Sequence, residues 1–170
     1  MIRFLGAALL TAGCGGLGLS AVRRLDGRAR DLRELSAGLE ILLRELGWRL
    51  SPLPEALEAA AGGTHGGAAR FFAFCARESG NLDGAPFRTL WNGGLEQSPL
   101  RLNREDRALL EQLGPVLGRY DGDSQRQAVE NVLAGLRRLE AQAEDDRRRL
   151  GRVYGALGLT AGLFLTLMLI

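Results

Sequence analysis

Two stretches of this chain carry no charge at all, and they sit at its ends. From Phe4 to Val22 there are 19 residues without Asp, Glu, Lys or Arg, and from Val153 to Ile170 there are 18 more. As helices they would rise about 27–29 Å at roughly 1.5 Å per residue, against a hydrocarbon core about 30 Å thick. Each is long enough to span a bilayer, so the sequence predicts a transmembrane helix at either end. The domain division that follows is 1–24 and 151–170 as membrane helices, with 25–150 between them.

The placement of arginine sets the expected orientation. Arg23, Arg24, Arg28 and Arg30 follow the first stretch, and Arg147, Arg148, Arg149 and Arg152 precede the second. Only Arg3 and the amino terminus lie on the opposite side. The positive-inside rule therefore puts the middle of the chain in the cytoplasm and both termini outside the cell membrane.

Three readings compete for the first stretch. Gly13-Cys-Gly15-Gly-Leu-Gly18 matches a dinucleotide fingerprint, with Asp31 and Glu34 at a distance suited to a ribose contact, but that motif needs a preceding strand and further βαβ units. Leu10-Thr-Ala-Gly-Cys14 resembles a lipoprotein cleavage site, but Thr11 replaces an aliphatic residue and the leader is short. A retained membrane helix explains the glycines best. Ala8, Ala12, Gly16 and Ser20 form a small-residue stripe at spacing four, and Gly151/Gly155 and Gly158/Gly162 repeat that spacing in the second stretch. Such stripes let membrane helices approach closely.

Leucine occurs 34 times while valine and isoleucine together occur 8 times. Leucine, alanine, arginine and glutamate favour helices, and sheets need β-branched residues. The fold expected is all-α: a six-helix cytoplasmic bundle flanked by the two membrane helices. Asp31–Leu46 carries Leu32, Leu35, Leu39, Leu42, Leu43 and Leu46 as a one-sided stripe, ended by Gly47. Ser51 caps a second helix, with Pro52, Pro54 and Glu55 in its start, that stops at Gly62-Gly63. Ala68–Ser79 follows, with Phe71, Phe74, Cys75 and Glu78 at helical spacing. Gly84-Ala-Pro86 opens a fourth helix running to about Leu95. Asn103 caps a fifth reaching Leu117. The sixth begins near Asp121 or Asp123, turns Val129, Val132, Leu133, Leu136 and Leu139 inward, and runs into the second stretch. Glu144/Arg148 and Asp145/Arg149 support it at i, i+4.

Chemistry-bearing residues are scarce. Two cysteines, Cys14 and Cys75, and one histidine, His65, are too few for a structural zinc site, and both cysteines read as small buried hydrophobes. His65, in a glycine-rich loop, reads as a solvated residue rather than a catalytic base. A net charge of +2 argues against a nucleic-acid partner. No catalytic residue, metal ligand, cofactor or small-molecule substrate is expected.

Arg30-Asp-Leu-Arg-Glu-Leu35, Leu50-Ser-Pro-Leu-Pro-Glu-Ala-Leu57 after the Gly47-Trp48 pair, and Leu117-Gly118-Arg-Tyr-Asp121 with Gln125 four residues on occur here in that order. In this the chain resembles the stage III sporulation protein AB family of endospore-forming bacteria, over nearly its whole length. It departs from the family at Ala29, where a proline is common, and in its glycine-rich first stretch and 62–67 loop. The resemblance implies a family-motif set of Leu32, Leu35, Pro52, Pro54, Glu55, Leu57, Gly118, Asp121 and Gln125. It also implies a fold similar to the cytoplasmic domain of type II secretion inner-membrane platform proteins. The function it implies is a non-enzymatic scaffold in the mother-cell membrane, part of the channel between mother cell and forespore. The partners implied are a cytoplasmic secretion-type ATPase and the other membrane subunits of the channel. Arg88, Trp91 and Arg101 are candidate partner contacts. A membrane-tethered adaptor or regulator unrelated to sporulation is the alternative reading, and an enzyme using the glycine fingerprint a third.

Overall fold

The computed structural model describes the backbone of residues 2–80, 85–117 and 122–169, and the side chains of 23–80, 85–117 and 122–150 with Val153, Ala156 and Thr160. Among the described residues every regular element is helical: α1 (Ile2–Arg44), a π-helical turn (Glu45–Arg49), α2 (Leu53–Gly62), α3 (Gly66–Ser79), α4 (Phe87–Gln97), α5 (Arg104–Glu111) and α6 (Gly122–Leu169). The sixth helix runs unbroken into the second uncharged stretch as expected, and α1 likewise continues from the first. Among the described residues no helix is long and apolar enough to cross a membrane. The two uncharged stretches themselves carry side chains that, apart from those of Val153, Ala156 and Thr160, lie outside the described residues. The small-residue stripe of Ala8, Ala12, Gly16, Ser20, Gly155, Gly158 and Gly162 lies there too.

The chain divides into two compact units, Arg30–Ala141 and Met1–Ala29 with Gln142–Ile170. In the first, α1 and α6 run antiparallel and supply two walls of the core. Leu32, Leu35, Leu39 and Leu42 are fully buried on α1, and Val129, Val132, Leu133, Leu136 and Leu139 are buried on α6. Arg33–Glu140 at 3.2 Å and Arg137–Glu40 at 2.7 Å flank this seam. Between the walls lie Leu57 of α2, Phe71, Phe72 and Cys75 of α3, Trp91 and Leu95 of α4, and Leu110 of α5. Gly38 makes room for α3: any Cβ there would overlap the Phe72 ring, so that ring packs directly on the α1 backbone.

In the second unit, Asp26 receives Arg147 at 2.7 Å and Arg28 stands 4.0 Å from Asp146. Glu144 pairs along its own helix with Arg147 at 3.1 Å and Arg148 at 3.7 Å. Arg28 and Arg147, which set the expected orientation, are therefore each matched by an acid from the neighbouring helix.

Several sequence expectations shift. Gly47 does not end the first helix; the chain continues through the π-helical turn and leaves it at Leu50, the only described non-glycine residue at positive φ (54°). Ser51 does not cap α2. Pro52 occupies the cap position without a side-chain bond, with Pro54 in the first turn, and the Ser51 hydroxyl turns back to Glu45 instead. In α3 the core aromatic beside Phe71 is Phe72, while Phe74 is half-buried under the Arg77 guanidinium, 5.9 Å from its ring centroid. Asn103 does cap α5, with a reciprocal box to Asp106. That helix ends at Glu111 rather than Leu117. Pro115 has no N–H to return to the Glu111 carbonyl and its ring would strike it, so the chain tightens into i→i+3 turns, Gly114 N–H to Glu111 O at 3.2 Å among them.

Candidate functional surfaces

Two acids of α1 hold the loops that cross it. Asp31 accepts the backbone N–H of Arg101 at 2.8 Å. Glu34 accepts the N–H of His65 at 2.7 Å and lies 3.4 Å from that residue's Nδ1. These are the carboxylates a dinucleotide fingerprint would direct at a ribose, and here they bind backbone amides. Gly13–Gly18 itself lies inside α1, with no strand before it, so the strand-turn-helix of a phosphate-binding loop is not formed. His65 is 88% exposed at its side chain. The 62–67 segment is pinned by this amide bond and by Thr64, whose hydroxyl donates to Ala60 O at 2.8 Å.

Cys75 lies in the opposite environment. It is fully buried, and desolvation pushes its thiol up to about 12 from an ordinary 9.0. A thiol held neutral in this way is a packing group rather than a nucleophile. Among the described residues no group of His, Cys, Asp and Glu is arranged to hold a metal ion.

The motif around Ser51–Leu57 builds a projecting corner. The Glu45 carboxylate, 5% exposed as a residue, accepts from the Ser51 hydroxyl at 3.1 Å and from Arg49 Nη1 at 3.3 and 3.4 Å. Its carbonyl accepts the N–H groups of Leu50 and Ser51. Two backbone and two side-chain interactions thus close the turn on one residue. The outcome is a rigid exit that points Trp48 and Leu50 away from the core, 87% and 81% exposed. Of the motif residues, Leu32, Leu35 and Leu57 are buried, Pro52, Pro54 and Glu55 face solvent, and Gln125 is 8% exposed. Gly118 and Asp121 lie outside the described residues.

The candidate contacts Arg88, Trp91 and Arg101 do not form one surface. Trp91 is fully buried, its ring 4.7 Å from that of Phe71 and its indole N–H donating to Leu110 O at 2.8 Å. It presents nothing to a partner. Arg101 is exposed beside the Asp31 contact, and Arg88 is exposed on the rim of a groove between α4 and α5. That groove has a volume of about 730 Å³ and is lined by Arg88, Asn92, Glu96, Ala108, Glu111 and Pro115 among others. Asn92 Oδ1 is buried in its wall with no hydrogen-bond partner. Sequence reasoning missed both the groove and the corner. The signal for the corner was present, in the Trp48 and Leu50 that lie off the leucine stripe.

Comparison with known proteins decides the family. A family model described as stage III sporulation protein AB matches residues 3–170. The chain belongs to the stage III sporulation protein AB family. It is 28% identical over 172 residues to stage III sporulation protein AB of Bacillus subtilis (strain 168), covering 99% of each chain. A solved structure of a stage III sporulation protein AB superposes with a TM-score of 0.65 at 26% identity, over 72% of this chain and 98% of that one. The all-helical architecture is thus that of the stage III sporulation protein AB family. The resemblance carried by Arg30–Leu35, Leu50–Leu57 and Leu117–Gln125 extends to the whole chain.

Proposed function

We propose that this chain is a non-enzymatic membrane scaffold of the sporulation channel between mother cell and forespore. In this reading 4–22 and 153–170 span the mother-cell membrane, Arg30–Ala141 lies in the cytoplasm and both termini lie outside. The folded unit docks a secretion-type ATPase, and the small-residue stripes pack against other membrane subunits of the complex. The observation that carries the reading is the family match over residues 3–170. It is supported by the uncharged ends with arginines on one side of each. It is also supported by four acids of Arg30–Ala141 that serve the fold: Asp31, Glu34, Glu45 and Asp106 hold backbone or neighbouring side chains.

The test has two arms. Single cysteines placed at residue 2, at the exposed Arg104 and near residue 168, in a chain lacking Cys14, are labelled in intact cells with a membrane-impermeant thiol reagent. Labelling at both ends and protection at 104 is expected; labelling at 104 overturns the topology. Tagged chain solubilised from sporulating cells is then expected to co-purify with the secretion-type ATPase, and deletion of the gene to block spore formation. Intact sporulation on deletion overturns the functional reading and leaves the tethered regulator.

A further inference from the structure

The exposed corner and the α4–α5 groove are complementary, and both belong to the unit Arg30–Ala141. Among the described residues, Trp48 and Leu50 are the two large apolar side chains of that unit that stand open to water. An indole is the side chain most enriched where proteins anchor to one another, and single-turn π segments recur at functional sites. The corner is also held in a costly shape. A non-glycine residue in the left-handed region costs about 1–2 kcal/mol, and here that conformation turns the Leu50 side chain outward beside Trp48. Arg49 is matched by Glu45, and the exposed Arg44 leaves one cation in excess beside the corner.

The groove offers the counterpart. Its volume of about 730 Å³ lies within the range of about 300–1,000 Å³ typical of clefts that receive a ligand side chain or small molecule. Ala108 and Pro115, both exposed, give its lining an apolar part, and Glu96 and Glu111, also exposed, outnumber the single cation Arg88. The Trp48 indole, 87% exposed, leaves its N–H open to a partner. Arg88, at the rim, is suited to stack on an entering indole. Since Trp48 is 87% exposed, it does not fill the groove of its own chain.

We infer that two copies of this chain bind each other through these surfaces, the Trp48–Leu50 corner of one entering the α4–α5 groove of the second. Because corner and groove are different surfaces, a single contact leaves one copy with a free groove and the other with a free corner, so the contact can close reciprocally into a pair or build a larger ring or row. A single anchor in a shallow groove is a small interface, and micromolar affinity is its expected order. The inference stands independently of sporulation or of any ATPase.

The full chain in mild detergent provides the test, read by sedimentation velocity and by tryptophan emission. Trp91 is buried throughout, so a concentration-dependent blue shift reports Trp48. A blue shift with matching self-association is expected for the unaltered chain. Trp48→Ala is expected to weaken association at least about tenfold. Glu96→Arg/Glu111→Arg in one chain is expected to abolish the shift. Should that double variant lose helicity by circular dichroism, Ala108→Arg takes its place, closing the groove from an exposed position. The decisive mixture combines the Trp48→Ala chain, whose groove is intact, with the groove-altered chain, whose Trp48 is intact. The blue shift should return although neither variant gives it alone. A chain that stays monomeric, a shift unaffected by groove substitutions, or a shift seen only with anionic phospholipid vesicles overturns the proposal.

Discussion

The Trp91 indole donates its N–H to the Leu110 carbonyl at 2.8 Å, and this one bond joins α4 to α5 inside the core. Leu110 is in the last turn of α5, which closes early at Glu111 because of Pro115. Its carbonyl otherwise meets the tight-turn N–H groups of Leu113, at 3.1 Å, and Gln112. Trp91→Phe keeps most of the ring packing against Phe71 and removes the donor. A loss of about 1–3 kcal/mol is expected in urea unfolding, against about 3–5 kcal/mol for Trp91→Ala, which also opens a cavity.

Gly38 opposes two effects. Alanine is favoured over glycine inside a helix by about 1 kcal/mol, but a Cβ at this position would overlap the Phe72 ring. Overpacking costs about 1–3 kcal/mol, so Gly38→Ala should destabilise on balance. Adding Phe72→Leu should recover part of that loss. A rise in melting temperature for Gly38→Ala alone would show that α1 and α3 do not depend on this approach.

The Cys75 thiol gives a pH dependence with a defined sign. Burial raises its folded value to about 12 from 9.0. The unfolded chain therefore releases this proton first as pH rises. Its contribution is fully present below pH 9 and is lost progressively between about 9 and 12. Replacing Cys75 with alanine should flatten that part of the stability profile. At pH 8 the native thiol should react with a disulfide reagent more than about a hundredfold slower than in denaturant, since access needs opening of the fold.

Glu45 holds the corner together through Ser51 and Arg49. Arg49 is largely exposed, which screens that pair, so the buried carboxylate's bond to Ser51 matters more. Glu45→Ala is expected to cost about 1–2 kcal/mol and to speed tryptic cleavage after Arg49 severalfold. Ser51→Ala should give a smaller loss of the same kind. Unchanged cleavage would mean that the Leu50 backbone, not Glu45, holds the turn.

The helix-start chemistry at Asn103 is the most local feature of the fold. Asn103 Oδ1 accepts the Asp106 N–H at 2.8 Å while Asp106 Oδ2 accepts the Asn103 N–H at 2.9 Å. Asn103→Ala should cost about 0.5–2 kcal/mol, visible as a lowered urea midpoint with an unchanged slope.

What proved readable along the chain was whatever depends on near neighbours. The leucine spacing of α1, the inward face of α6, the proline-led start of α2 and the Asn103 cap are all decided within one or two turns, where periodicity and capping act. Pro115 was visible too, and its effect on α5 follows from local sterics that the leucines at Leu113 and Leu117 obscured. The candidate surfaces were harder to read. Trp91 looked like a possible contact and is a core bond, whereas Trp48, one residue past a glycine, is the exposed indole.

By itself the sequence determined an all-helical chain with uncharged ends, arginines on one side of each, and a family that these motifs mark. The physical reason is that helix propensity, hydrophobic period and charge placement act over a few residues and do not require knowing what lies opposite. The tertiary structure alone decided that Phe72 rather than Phe74 meets Gly38, and that Ser51 serves Glu45 rather than its own helix. It alone decided that Asp31 and Glu34 grip the amides of Arg101 and His65. Each of these choices depends on which atoms arrive from 6 to 70 residues away, and a buried polar group takes the partner that distance and burial bring to it.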